Sequence, residues 1–397
     1  MSDKRSVRDV DVRGQTVLVR VDFNVPFKPG TSEISDDGRI RASLPTLRYL
    51  LEQNCALIVC SHLGRPKGRI DESVRMAPVS QRLAELLGLR VLQCNETIGR
   101  DVSALAGCLM GGDVMMLENT RFQPGEEAND AEFSRELASL ATFYINDAFG
   151  AAHRAHASTE GVAHWLPSAA GLLLERELRF LGDALEDPHK PFASILGGAK
   201  VSDKIGVLDN LADKADLLLI GGGMAATFIK ALGFNVGESP VEDDRIAFAK
   251  SLIYRSESGE VRLLLPDDVV VADRFNADAD SRTVPVGSIP GGFRIMDIGP
   301  NTERQYCEAI KACKTVMWNG PMGVFEWEAF SHGTQVIAET LASLDDATTV
   351  LGGGSTAEAV AVLGLTDKMT HVSSGGGASL EFLEGRGLPG VEALPNR

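Results

Sequence analysis

Short apolar or β-branched runs alternate along the chain with stretches whose apolar residues recur every three or four positions. Residues 16–21 (TVLVRV) predict a first strand, and Leu44, Leu47, Leu50 and Leu51 follow at helical spacing. Residues 56–60 predict the next strand, ahead of a helix carrying Val79, Leu83, Leu86 and Leu87. Residues 114–117, a helix from about residue 131, and residues 142–145 continue the alternation. The second half repeats it, with strands predicted over 192–196, 217–220, 263–265, 315–318 and 348–351 and helical segments between them. Such alternation predicts parallel sheets covered by helices. The strands outnumber what one sheet comfortably holds, so the pattern predicts an α/β protein with two doubly wound parallel-sheet lobes.

Residues 171–189 (GLLLERELRFLGDALEDPH) read as one long amphipathic helix, stopped by Asp187-Pro188, with no strand before Pro191. The predicted organisation is therefore a domain over 1–170, an interdomain helix and hinge over 171–188, and a domain over 189–385.

The 397 residues hold 39 Lys plus Arg against 55 Asp plus Glu, a net charge of −16. That balance argues against a general nucleic-acid binder or a basic membrane-surface protein. The charge is uneven: residues 1–170 carry 19 basic and 22 acidic side chains, and 16 of the 19 are Arg. Arginine suits bidentate contacts to carboxylate and phosphate, although codon usage gives the same bias. The six cysteines form no C-x-x-C pair, and several sit in apolar runs, as Cys55 and Cys60 do. They read as buried, reduced thiols of a reducing compartment. The first five residues lack an apolar signal core, and no apolar run approaches the roughly 18 residues of a membrane span. A soluble, cytoplasmic protein is expected, with neither nucleic acid nor membrane as a partner.

Glycine clusters occur at Gly197-Gly198, Gly221-Gly222-Gly223, Gly352-Gly353-Gly354 and Gly375-Gly376-Gly377, the first three directly after predicted strands. Glycine there serves a tight turn, or lets backbone N–H groups approach an anion at the carboxyl edge of a sheet. In the first domain Arg and His follow strand ends: Arg20-Val-Asp22-Phe-Asn24, Ser61-His62-Leu-Gly64-Arg65, Arg121, and His153-Arg154, with Arg39 ahead of the first helix. Singly, each is more often a surface charge or helix cap. Recurrence at one edge of a parallel sheet makes a site for a phosphorylated, carboxylate-bearing small molecule. In the second domain Lys200 and Lys204 follow a glycine pair, and either a phosphate contact or, for Lys204, a solvent-facing helix position fits. Glu326 closes the Trp318–Glu326 turn and suits a ribose hydroxyl or a helix cap. No Walker A motif or kinase H-R-D occurs. Two loose dinucleotide fingerprints, at Gly221 and Gly352, keep a nicotinamide-dependent oxidoreductase as the runner-up.

Taken together, RVDFNVPF (20–27), RIRASLPTL (39–47), SHLGRP (61–66), NDAFGAAHRAHAS (146–158), LGGAKVSDKI (196–205), GGGMA (221–225), WNGPMGVFE (318–326) and SSGGGASLEFLEG (373–385) resemble the phosphoglycerate kinase family, in family order from about residue 7 to the C-terminus. The resemblance implies a Rossmann-like, two-lobed, monomeric kinase. It would move a phosphoryl group in line between 1,3-bisphosphoglycerate and ADP, giving 3-phosphoglycerate and ATP, with Mg²⁺, across a closing interdomain cleft. It implies a glycerate-phosphate site of Asp22, Asn24, Arg39, His62, Arg65, Arg121 and Arg154. It implies a nucleotide site of Lys200, Asn319, Pro321, Glu326, Gly353, Gly354, Ser355 and Thr356, with Arg39 and Lys200 catalytic. Residues 386–397 would pack back on the first domain. One position departs: the family commonly has Asp where Ser355 stands, and a hydroxyl is a weaker Mg²⁺ ligand than a carboxylate. The metal ligand is thus left open, and a non-catalytic binding protein on the same fold is the third reading.

The implied chemistry agrees with the residues. The acceptor is already an anion at neutral pH, so no general base is required. Catalysis then rests on positioning and on cancelling charge at the transferring group.

Overall fold

The computed structural model describes residues 3–397. Met1 and Ser2, the start of the segment read as lacking a signal core, lie outside the described residues. The chain divides into two compact units, one of Met1–Arg179 with Gly387–Arg397 and the other of Phe180–Arg386.

The first unit is built on β1 (Thr16–Arg20), β2 (Ala56–Cys60), β3 (Val91–Gln93), β4 (Val114–Met116), β5 (Phe143–Asn146) and β6 (Ser168–Ala170). Their order is β3-β4-β2-β1-β5-β6, and every neighbouring pair is parallel. β2 and β5 are buried throughout. Both faces of such a sheet are covered, so the strands are continuous apolar runs without alternation. On one face Val17, Val19, Leu57 and Val59 pack against Ile40, Leu44 and Leu47 of the Gly38–Glu52 helix and Val79 and Leu83 of the Ala77–Leu87 helix. The latter ends on Gly88, whose φ of 73° is the left-handed cap that glycine supplies without strain. β3 and β6 have only three residues each and carried no legible run.

The segment Gly387–Arg397 completes this unit. Gly390 donates its N–H to the Ala152 carbonyl at 2.9 Å, and Asn146 Nδ2 donates to the Gly390 carbonyl at 2.9 Å. Arg397 pairs with Asp9 at 2.9 Å and Glu175 at 3.0 Å. The helix Leu172–Glu186 begins in this unit, where Leu172 N–H donates to Thr46 Oγ1 and Leu173 N–H to Asp147 Oδ1, both at 2.9 Å. The division between the units falls inside that helix, between Arg179 and Phe180.

The second unit contains β7 (Phe192–Leu196), β8 (Leu217–Ile220), β9 (Arg262–Leu264), β10 (Asp268–Ala272), β11 (Ser281–Pro285), β12 (Arg294–Ile298), β13 (Thr315–Asn319), β14 (Thr348–Gly352) and β15 (His371–Val372). The main sheet runs β15-β14-β13-β7-β8-β9, all parallel. Its core joins Ile195, Leu219, Trp318 and Leu351 to Tyr306, Ile310, Ile337 and Leu341 on flanking helices. A separate antiparallel sheet, β11-β10-β12, departs from the purely parallel expectation. Its β11 is largely exposed and no α-helix separates its strands, only a 3₁₀ turn at Val286–Ser288, so the strand–helix rhythm gave no sign of it. Among the described residues, no helix is long and apolar enough to cross a membrane. All six cysteines are free, and five are buried, with Cys108 exposed.

Candidate active site

In the first unit the parallel order puts the carboxyl ends of β1, β2, β4 and β5 on one edge, where open α/β sheets bind ligands. Asp22 and Asn24 follow β1, His62 and Arg65 follow β2, Arg121 follows β4 and Arg154 follows β5, while Arg39 stands in the first turn of the Gly38–Glu52 helix. Asp22 pairs with Arg39 and lies 3.9 Å from His62 Nδ1. Asn24 Oδ1 accepts the Gly64 N–H at 2.9 Å, and Arg121 Nη1 donates to the Gly64 carbonyl at 2.7 Å. These two bonds tie the loops after β1, β2 and β4 together. Arg154 lies half-buried, its Nε 3.0 Å from His153 Nε2, and Arg65 is exposed.

Two histidines record the positive field of this edge. Burial, then Arg20, Arg121 and Arg39, push the His62 pKa well below its ordinary value, against the opposing pull of Asp22. Burial, then Arg121, Arg20, Arg154 and His153, bring His156 down to about 3. Both rings are neutral at pH 7. Burial works against charge on Asp22, but its cationic neighbours and the Asn24 N–H outweigh it and hold the carboxyl below its usual range. Asp22 pairs with Arg39 and Glu127 lies 3.2 Å from Arg121, yet the guanidiniums outnumber the carboxylates and leave the edge attractive to an anion.

In the second unit the loops after β7, β8, β13 and β14 meet. Gly198 N–H donates to the Pro321 carbonyl at 3.0 Å and Gly222 N–H to the Met322 carbonyl at 2.8 Å. The backbones approach so closely that a Cβ on Gly197 would stand 2.1 Å from the Pro321 oxygen. Lys204 is buried and donates its ammonium to Asn319 Oδ1. Burial lowers its pKa to about 8, against the pull of Asp203. Asn319 Nδ2 is buried without a hydrogen-bond partner. It lies beside Gly353, where a Cβ would approach it to 3.3 Å, and Gly353, at a φ of 90°, opens the Gly354–Val362 helix. Thr356 Oγ1 accepts the Gly320 N–H at 2.7 Å, so this hydroxyl holds the loop. Lys200, Gly354, Ser355 and Glu326 are exposed, and Pro321 is half-buried.

Apart from the helix-borne Arg39, the sequence-predicted residues of the first set thus follow strand ends at one sheet edge of their unit, and Asn319, Pro321, Gly353 and Thr356 gather at one edge of the other, while Lys200, Gly354, Ser355 and Glu326 are exposed. The open alternative for Lys204 resolves against a solvent-facing position, because its side chain turns into the sheet edge and Lys200 takes the exposed place. Sequence reasoning gave no role to Glu126 and Ser158, which lie beneath the first edge. Ser158 stood inside the 146–158 string, whereas nothing marked Glu126.

Two lobes of this kind, one with an arginine-lined edge and one with a glycine-lined edge bearing a buried lysine, are the architecture of a phosphotransferase acting on a small anionic acceptor. The sequence profile of the phosphoglycerate kinase family matches residues 7–386. The chain is 53% identical to phosphoglycerate kinase from Moorella thermoacetica over 394 residues, 99% of this chain and 100% of that one. It is 56% identical to the enzyme from Roseiflexus sp. over 393 residues, 98% and 99% of the two chains. Among solved structures, phosphoglycerate kinase from Coxiella burnetii is similar at a TM-score of 0.90 and 39% identity, and that from Pyrococcus horikoshii at 0.85 and 33%, each covering 98% of both chains. The chain belongs to the phosphoglycerate kinase family, whose members transfer a phosphoryl group between 1,3-bisphosphoglycerate and ADP to give 3-phosphoglycerate and ATP.

Proposed function

We propose that the first unit holds the glycerate substrate through Asp22, Asn24, Arg39, His62, Arg65, Arg121 and Arg154, and that the second unit holds the nucleotide. The observation that carries this reading is the set of guanidiniums around a neutral, buried His62 at one strand edge. Arg39 stands at the carboxyl end of the acceptor and offsets charge in the transition state. His62, Arg65, Arg121 and Arg154 anchor the remote phosphate. Asn319, Pro321, Glu326 and the Gly353-Gly354-Ser355-Thr356 turn hold the nucleotide, and Lys200, with Lys204 behind it, meets its phosphates.

Among the described residues, no group of three His, Cys, Asp or Glu could cage a metal ion. The exposed Ser355 fits a Mg²⁺ ion carried by the nucleotide's own phosphates and water, with at most one hydroxyl from the protein. Mg²⁺ so bound would shield the phosphoryl charge. A cytoplasmic monomer without nucleic-acid or membrane partners is the setting we infer.

A coupled assay with 3-phosphoglycerate and ATP, titrated with Mg²⁺, tests the reading. Arg39→Ala lowers kcat on the order of 100-fold or more while the unfolding midpoint stays near native, because the lost interaction belongs to the transition state. Ser355→Asp shifts the Mg²⁺ midpoint to lower concentration. Near-native kcat in Arg39→Ala overturns the assigned roles.

A further inference from the structure

The mechanism so far leaves out a chain of buried polar groups beneath the glycerate site. Arg20 is completely buried at the end of β1. Its Nε donates to Ser158 Oγ at 2.8 Å, its Nη1 to the Val21 carbonyl, and its Nη2 lies 3.2 Å from His62 Nδ1. Ser158 Oγ in turn donates to Glu126 Oε1 at 2.6 Å, and the Ser158 N–H donates to Glu126 Oε2 at 3.0 Å. Glu126 is fully buried and also accepts from Thr120 Oγ1 at 3.2 Å. The buried guanidinium is therefore held in one orientation by a serine that is itself fixed at both ends, with a buried carboxylate supplying the counter-charge.

A guanidinium has donors and no acceptor. His62 Nδ1, facing Arg20, must therefore accept, and its own proton cannot reside there. We propose that Arg20, locked by Ser158 and Glu126, is a positioning residue that fixes His62 as the neutral Nε2–H tautomer, so that the ring offers one N–H donor to the phosphate of the bound glycerate. The proposal rests on the substrate reading above for the identity of the acceptor, but not for the tautomer. The groups facing His62 are Arg20, Arg39, Arg121 and Asp22. Asp22 Oδ1, at 3.9 Å from Nδ1, is too distant to accept a proton bond there. Binding by a fixed neutral donor differs from binding by a histidine cation. A cation releases the anion as pH rises through the ordinary histidine range, whereas a neutral N–H does not.

The experiment is a two-bond ¹H–¹⁵N spectrum of the full-length protein labelled at its histidine rings, recorded from pH 6 to 8 with and without 3-phosphoglycerate. The His62 signal is assigned by its absence from His62→Gln. The expected result is one unprotonated nitrogen at Nδ1 and one protonated nitrogen at Nε2, unchanged across this range, with the Nε2 signal moving on addition of 3-phosphoglycerate. A protonated Nδ1, or an imidazolium at pH 6 to 7, overturns the proposal. Kinetics give a second readout. His62→Gln places an amide N–H near the Nε2 position and His62→Asn near Nδ1, so KM for 3-phosphoglycerate rises at least 10-fold more in the Asn variant than in the Gln variant. Equal KM values overturn the donor assignment. Ser158→Ala, which unlocks Arg20 without touching the ring, raises that KM several-fold with kcat less affected and lets the Nδ1-protonated form appear. An unchanged spectrum in Ser158→Ala overturns the positioning role. Should 3-phosphoglycerate leave every histidine signal unmoved, the substrate reading fails, and the two nitrogen shifts still decide the tautomer.

Discussion

Lys200 and Lys204 sit four residues apart in one string, yet only the second is buried. The sequence made both candidates and could not rank their exposure, because a Gly-Gly-Ala lead-in fixes no helical phase. Arg39, His62 and Arg121 were legible because each follows or faces a strand end, and a parallel sheet brings all such ends to one edge. The burial of Lys204 has a measurable cost. Its pKa of about 8 lies below the usual 10.5, so between these values the unfolded chain binds more protons and stability rises with pH. At pH 7 the charged form costs roughly 1–3 kcal/mol. Lys204→Met is therefore expected to raise the denaturant midpoint at pH 7 while lowering kcat on the order of 100-fold. A lower midpoint in the variant, measured by urea unfolding, counts against a strained ammonium.

At the level of elements, runs buried on both faces were readable, and the antiparallel β10–β12 sheet was not. Its strands lack the intervening α-helix that the reading depended on, and β11 exposes most of its residues. β12 nevertheless organises its surroundings through Asp297. That carboxylate accepts the Gly333 N–H in the first turn of the His332–Ala342 helix and the Ile298 N–H, both at 2.8 Å. Burial pushes its pKa up to about 7, helped by Glu303 and opposed by the two N–H groups and His332. The native state therefore holds a proton that the unfolded chain has released. Asp297's contribution is fully present below about pH 4 and is lost as pH rises through 7, by about 4 kcal/mol. Asp297→Asn removes this titration. The stability difference, native minus variant, should fall steadily from pH 4 to pH 7 and level off above it. A flat difference in unfolding free energy across that range refutes a protonated Asp297.

For the whole molecule, the two-lobe α/β architecture followed from strand count and rhythm alone. What the pattern could not contain is the return of residues 387–397, since Gly390 and Arg397 act through contacts distant in sequence. Deleting 387–397 removes the bond from Asn146 to Gly390 and the Arg397 pairs with Asp9 and Glu175. Two-transition calorimetry is expected to show one transition lowered by several degrees and the other unmoved. Equal shifts of both would argue against an assignment of this segment to one unit.

The discontinuity of the first unit also orders events during synthesis. Its sheet is made first, but residues 387–397, which pack on it, follow only after the whole of residues 180–386. The second unit, by contrast, is continuous in sequence. The first lacks residues 387–397 until the second has been made, so it is begun first and finished last. Premature truncation anywhere downstream then leaves the arginine-lined edge on an incompletely closed body, exposed to proteolysis.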